Sequence, residues 1–360
     1  MKSHDIQHWI TTTDPRALGN LYRRADDCRR RFVGDAVHLR GLLNFANICR
    51  RNCWYCGLRA ERTDLPRYRM SQADILTCAR RVEQLGYGTI VLQSGEDHSM
   101  DPVWIGEIVR RIKGETGLAV TLSLGERHPL ELEVWKRAGA DRYLLKFETS
   151  NHDLYCRYHP ALAGFGGNRL GILAWLRDLG YEIGTGFMVG LPGQTPADLR
   201  RDLEMLDMLQ PDMIGVGPFI PHPATPLARI LADMPARPID QVPASTGMTL
   251  TVLALVRLLC PTANIPATTA LGTVDPAYGY ESGLTCGANV IMPDVTPRAY
   301  REKYEIYPRP LPPSEEDGEA DHRRLMDRIR SLGRSVGRGP GAAVSFGHHR
   351  GEKNHETSRA

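Results

Sequence analysis

The sequence predicts an α/β fold, a full (β/α)8 TIM-type barrel with an N-terminal helical cap and a disordered C-terminal tail. Three observations carry this. Eight apolar, strand-like runs, at about 37–45, 89–94, 119–124, 142–148, 182–190, 213–220, 264–270 and 288–293, alternate with amphipathic stretches such as Ala73 to Leu85 and Leu170 to Leu179. That alternation is the mark of repeated βα units feeding a parallel sheet. The segment 37–312 is long enough for such a barrel, which takes about 250 residues. Residues with chemical capability gather at the C-terminal ends of the runs, the end at which barrels of this kind build their sites.

Taken in order, residues 1–36 form an N-terminal helical extension. Residues 3–32 have a helical pattern, and Asp14-Pro15 reads as a helix start with proline at the first helical position. This extension is expected to cap the bottom of the barrel. The first strand, Val37-His38-Leu39-Arg40-Gly41-Leu42-Leu43-Asn44-Phe45, is apolar enough to be buried. After the sixth strand, Pro221 to Thr246 is proline-rich without a clear period, which fits a long loop serving either as a lid or as a plain connection. Residues 313–337 hold a final charged helix. Residues 338–360 are rich in Gly, Ser, His and Arg with almost no apolar run, and are expected to be disordered.

Composition excludes several classes. The chain has 360 residues and a formal net charge of +3, so it carries no basic footprint for nucleic acid. It has no long apolar run for a membrane span and no apolar core of a signal peptide in Met1-Lys2-Ser3-His4-Asp5-Ile6-Gln7, so a cytoplasmic protein is expected. Of eight cysteines, Cys28, Cys78, Cys156, Cys260 and Cys286 are widely scattered and read as small buried hydrophobes; a secreted disulfide framework would be shorter and denser.

The other three fall together, in Cys49-Arg50-Arg51-Asn52-Cys53-Trp54-Tyr55-Cys56, directly after the first strand. A structural zinc site wants four ligands in paired units, and no second pair lies nearby. Three thiolates on one tight loop suit three irons of a cubane [4Fe–4S] cluster instead, with the fourth iron open to a non-protein ligand. Metal: Cys49, Cys53 and Cys56 are therefore the candidate ligands.

Other strand ends add polar groups. Ser94-Gly95-Glu96-Asp97 ends the second strand, and its glycine permits close backbone approach. In Tyr143-Leu144-Leu145-Lys146-Phe147-Glu148, Lys146 and Glu148 share one face of the fourth strand, which is costly unless they face a polar cavity or pair with each other. Thr121 and Ser123 share a face of the third strand, and Thr268 and Thr269 follow Pro266 on the seventh. Such hydroxyls suit small anions or carboxylates. Met188 and Met292 are candidate walls, and Tyr300, beyond the eighth strand, is a candidate gate.

An open iron on a three-cysteine loop at a strand end resembles the radical S-adenosylmethionine (SAM) superfamily. Cys56-Gly57-Leu58-Arg59, Gln93-Ser94-Gly95-Glu96-Asp97, Thr121-Leu122-Ser123-Leu124-Gly125-Glu126, Met188-Val189-Gly190-Leu191-Pro192-Gly193-Gln194, Gly217-Pro218-Phe219-Ile220-Pro221-His222-Pro223 and Ile265-Pro266-Ala267-Thr268-Thr269 occur in order. As a set they resemble HydE-type maturases of [FeFe]-hydrogenase, from about Val33 to Tyr307. The resemblance implies one [4Fe–4S] cluster and SAM as cofactors. It assigns Tyr55, Ser94, Gly95 and Glu96 to SAM, Glu148 to its ribose hydroxyls and Arg169 to its carboxylate. Thr121, Ser123, Lys146, Thr268, Thr269 and Tyr300 are the candidate substrate residues. Lys146 departs from the family, which usually has arginine there; lysine lacks the planar fork. No cysteine follows Cys286, so the accessory cluster of some members is not expected.

The implied reaction is reductive cleavage of SAM to a 5′-deoxyadenosyl radical. The implied substrate is a cysteine-bound iron carbonyl/cyanide species made by an upstream radical SAM maturase, processed toward the hydrogenase H-cluster. A downstream GTPase scaffold and a one-electron reductant are the other implied partners. The alternatives are a related barrel enzyme, methylornithine-synthase-like or biotin-synthase-like, and a non-catalytic iron–sulfur carrier.

Overall fold

The structure, a computed structural model, describes residues 1–162, 168–233, 240–308 and 318–344. Its centre is a parallel barrel. The strands, in chain order, are Ala36–Ala46, Thr89–Ser94, Ala119–Ser123, Arg142–Leu144, Glu182–Thr185, Met213–Ile214, Pro266–Ala267 and Val290–Ile291. Each of the first five pairs in parallel with the next, and the first also pairs with the eighth, which pairs with the seventh. Backbone bonds from Ile214 N to Asn264 O and from Asn264 N to Asp212 O, both 2.9 Å, join the sixth strand to the seventh and close the ring. Strands covered on both faces read as apolar runs rather than alternating ones; nine of the eleven residues from Ala36 to Ala46 are buried, Ala36 and His38 being the exceptions.

The fourth, fifth and sixth strands are shorter than their apolar runs. The fourth leaves regular pairing after Leu144 and rejoins through a single bridge from Glu148 to Phe187. The fifth and sixth each break and continue as a second small sheet, Met188–Val189 beside Gly217–Pro218. The break in the fifth lies at Gly186, where a side chain would strike the carbonyl of Gly215. These interruptions turn backbone and side chains at the strand ends toward the barrel mouth.

The N-terminal helices do not cap the bottom. Ser3–Thr11 packs on the outer helix Pro196–Leu209, and Pro15–Val33, started by Asp14 as read from the sequence, packs on Thr246–Leu259. They lie on the barrel's flank because their apolar stripes (Ile6, Ile10; Leu21, Ala25) match those outer helices.

The bottom is closed instead by the segment after the last helix, Gly318–Ser331. Ser335 and Val336 pair in parallel with Ala36 and Val37 at the start of the first strand. The carbonyl of Pro340 accepts from Thr89 Oγ1 (2.9 Å) and Arg142 Nη2 (3.0 Å), and that of Gly341 from Arg40 Nη2 (3.1 Å) and Asn264 Nδ2 (3.0 Å). Residues 338–344 thus correct the expectation of a tail disordered from 338; positions 345–360 lie outside the described residues. The glycines are there for approach, since at Gly341, with φ +58°, a side chain would meet the His38 ring.

Candidate active site

At the opposite end, the C-terminal ends of the strands surround a cavity of about 580 Å³. Cys49, Cys53 and Cys56 line it from one loop. The loop is anchored from several sides. Arg50 N–H donates to the Glu96 carbonyl and Trp54 N–H to the Tyr158 carbonyl, each at 2.9 Å. The guanidinium of Arg67 gathers four carbonyls of the loop region, those of Asn47, Leu58, Arg59 and Arg62. Gly95 lets the second-strand turn sit against the loop, because a side chain there would strike Ile48 O and Cys49 Cβ. A small apolar cluster of Leu154, Tyr158, Leu191, Phe219 and Leu227 packs under Trp54 and Tyr55.

Beside the cysteines runs a buried chain of charges. Arg51, inside the cysteine loop, donates through Nε to Glu96 Oε1 (2.6 Å), and its Nη2 lies 2.8 Å from Glu126 Oε2 as an ion pair. Glu126 Oε1 takes Arg169 Nε at 2.9 Å. Arg169 also donates to the carbonyl of Lys146 (2.6 Å), to Glu148 Oε1 (3.5 Å) and to His159 Nε2 (2.9 Å). Lys146 Nζ lies 3.7 Å from Glu148 Oε2. Glu148 has φ +67°, a left-handed conformation rare for a residue with a side chain and a mark of functional sites.

Buried ions need such partners, and the titration shifts follow. Burial alone would raise Glu126, but the guanidinium groups of Arg169 and Arg51 help to outweigh it and hold the carboxyl well below the carboxylate range. Glu96 is likewise pulled up by burial and, more strongly, down by His98 and Arg51. Burial pushes all three cysteine thiols up, Cys56 to about 12 with the charge of Cys49 adding to it. Thiols in this state must lose protons to bind metal.

The site gathers most residues singled out in the sequence. Tyr55, Ser94, Gly95, Glu96, Glu148 and Arg169 line the cavity, as do Ser123, Lys146, Thr268 and Thr269. Two do not. Thr121 is fully buried one layer deeper, level with Val91 and Arg142, and its hydroxyl has no hydrogen-bond partner. Alternation put it on the right face, but depth decides the matter: Ser123 stands level with Gln93 at the mouth. Tyr300 is turned away, with its hydroxyl on Asp74 (3.1 Å) and its ring against Tyr68. Tyr304 and Tyr307 occupy the wall instead.

Sequence reasoning also missed Arg51, Glu126 and His159. Arg51 lies between two ligand candidates and Glu126 ends a strand-end motif, so both had a signal; a lone histidine after a helix had none.

The donor set fits the cubane better than a single ion. Among the described residues no three His, Cys, Asp or Glu side chains are grouped closely enough for one metal ion. A cube of irons and sulfides holds its cysteines further apart, around a space such as this cavity.

A barrel whose mouth carries a three-cysteine loop, a glycine turn against that loop and buried carboxylate–guanidinium pairs defines a radical SAM enzyme. The model of the radical SAM superfamily matches residues 43–206. The chain is 49% identical over 318 residues to the [FeFe] hydrogenase maturase subunit HydE of Thermotoga maritima, covering 88% of this chain and 87% of that protein. It is 25% identical over 335 residues to 3-methylornithine synthase of Methanosarcina acetivorans, covering 92% and 89%. The crystal structure of methylornithine synthase (PylB) has the same fold, with a TM-score of 0.80 at 24% identity over 94% of both chains. The chain belongs to the HydE family of the radical SAM superfamily, whose cofactors are a [4Fe–4S] cluster and SAM.

Proposed function

We propose that this enzyme processes an iron- and cysteine-derived precursor in the assembly of the [FeFe]-hydrogenase H-cluster. The observation that carries the reading is the convergence of the three cysteines, Glu148, Lys146 and Arg169, itself anchored by Glu126, on one cavity, in a chain half identical to a hydrogenase maturase.

In this reading Cys49, Cys53 and Cys56 hold three irons and leave the fourth facing the cavity. Together the cluster and SAM supply one-electron cleavage of a sulfonium and a 5′-deoxyadenosyl radical. The chain's own part is to bind, orient and exclude water. Gly95 brings backbone next to the loop for the SAM amino group. Glu148 accepts from the ribose hydroxyls, held in place by Lys146 and Arg169. Lys146 and the hydroxyls of Ser123, Thr268 and Thr269 also line the cavity and offer a cation and donors to a carboxylate- or cyanide-bearing substrate. Leu42, Met188, Met292 and Ile306 keep the space apolar elsewhere, which strengthens those polar contacts. An upstream radical SAM maturase supplies the iron carbonyl/cyanide species, a GTPase scaffold takes the product and a one-electron reductant feeds the cluster. The cytoplasm is the proposed compartment.

The test begins with the anaerobically reconstituted protein, dithionite and SAM. The native chain is expected to form 5′-deoxyadenosine and Cys53→Ala none. Added to the other maturases, the native protein should raise hydrogenase activity. Deoxyadenosine without hydrogenase activation would keep the chemistry and overturn the substrate.

A further inference from the structure

His159 has no part in the roles above, yet it touches a cluster ligand. It follows the helix His152–Tyr158 and is buried. Its ring sits between those of Tyr155 and Tyr55, with centroids 4.9 and 6.5 Å away, and its N–H on the backbone is fixed to the Tyr155 carbonyl. Nε2 lies 2.9 Å from Arg169 Nη2. Nδ1 lies 3.1 Å from Cys53 Sγ and 3.0 Å from the Tyr55 hydroxyl.

These distances fix the tautomer. A guanidinium has donors only, so Nε2 must accept from Arg169. Glu126 Oε1, 3.7 Å from Nε2, is too far to take a proton from it instead. An imidazole that accepts at Nε2 carries its proton on Nδ1, and that N–H points at the Cys53 sulfur, with Tyr55 sharing it. A second proton, on Nε2, would point at the Arg169 guanidinium 2.9 Å away, so the geometry calls for the neutral ring. Hydrogen bonds to ligand sulfurs are among the levers that set iron–sulfur potentials. A donor stabilises the more negative, reduced cluster.

We infer that His159 is a positioning residue for the cluster: Arg169 sets its tautomer, and its Nδ1–H donates to the Cys53 thiolate and raises the cluster's reduction potential. The inference rests on the cluster reading of the cysteine loop. It also links two parts of the site, because the guanidinium that orients His159 contacts Glu148 on the SAM side of the cavity.

The experiment is an EPR-monitored redox titration of the reconstituted full chain. His159→Leu should keep its iron and lower the reduced-to-oxidised ratio at a fixed potential about tenfold, which is about 59 mV for one electron. His159→Asn, whose amide nitrogen overlies Nδ1, should recover most of the loss. His159→Gln, whose amide overlies Nε2, should not. A Leu variant with full iron and the native potential overturns the inference, as does equal behaviour of Asn and Gln. Should the Leu variant hold no cluster, the native protein with 15N-histidine decides. Pulsed EPR of its reduced cluster must then show a weak nitrogen coupling, and its absence overturns the inference. A native chain that takes up no [4Fe–4S] cluster sinks the loop reading itself, a failure recognised by the missing cluster signal.

Discussion

Replacing Glu182 by Gln tests the closure of the barrel's bottom. Glu182 Oε2 accepts from Arg142 Nε at 2.9 Å and from Ala343 N–H at 3.2 Å, and both charged side chains of this pair are almost wholly buried. Arg40 shares the space. Burial and the neighbouring Arg142 push its pKa down to about 9 against the opposing pull of Glu182, and its Nε has no hydrogen-bond partner. The substitution strands two buried guanidinium groups. Removing one partner of a buried pair costs about 3–5 kcal/mol. Glutamine keeps a carbonyl oxygen for Arg142, so the lower end, about 3 kcal/mol, is expected. For a chain of this length the unfolding entropy is about 0.7 kcal/mol per degree, which converts the loss to a fall in Tm of about 4 °C. Differential scanning calorimetry under anaerobic conditions reads it. At a temperature well below the transition, 5′-deoxyadenosine formation should be unchanged, because Glu182 lies at the end of the barrel away from the cysteines. A Tm within 1 °C of native would refute the argument, since it would mean that water already reaches these charges.

Two further outcomes follow from the geometry. Tyr300→Phe removes the bond to Asp74 and should cost about 1 kcal/mol in stability while leaving deoxyadenosine formation within about twofold; a larger loss of turnover would place Tyr300 in the cavity after all. The metal-free protein should lose stability as pH falls, because Glu96 and Glu126 are held below their ordinary pKa in the folded state. Their contribution is present above the unfolded carboxylate value, about 4.3, and disappears as pH drops through it and below. Thermal melts from pH 6 to pH 3 should show this slope, and Glu126→Gln should flatten it.

Much of this architecture is legible in the sequence, for identifiable reasons. Strands buried on both faces must be apolar along their length, so the runs beginning at Val37, Thr89 and Ala119 announce themselves. The cysteine spacing is chemistry written in the chain order. What alternation cannot supply is depth. Thr121 and Ser123 share a face and differ only by one layer of the barrel. Nor can it give the direction of a side chain beyond a strand end, which separates Tyr300 from Tyr304. His159 is silent in sequence because its meaning arises from Arg169 and Cys53, 10 and 106 positions away. The Gly337-Arg338-Gly339-Pro340-Gly341 stretch misleads by composition. Glycine and proline there read as disorder, whereas the glycines are what let backbone carbonyls reach Arg40, Arg142 and Thr89.

That stretch also constrains the order of events at the ribosome. Arg40 receives its carbonyl partner from Gly341, 301 positions later. Domains generally fold as units during synthesis, N-terminal parts first, and contacts this distant in sequence are slow to form. The first strand of this barrel therefore leaves the exit tunnel with its lower end unfinished and stays so until Gly341 has emerged. Through that interval Arg40 and Arg142 remain hydrated, and the nascent barrel is open at its base. A product that ends before Gly341 would keep the cysteine loop yet lack the closure beneath it, leaving Arg40 and Arg142 without those carbonyl partners.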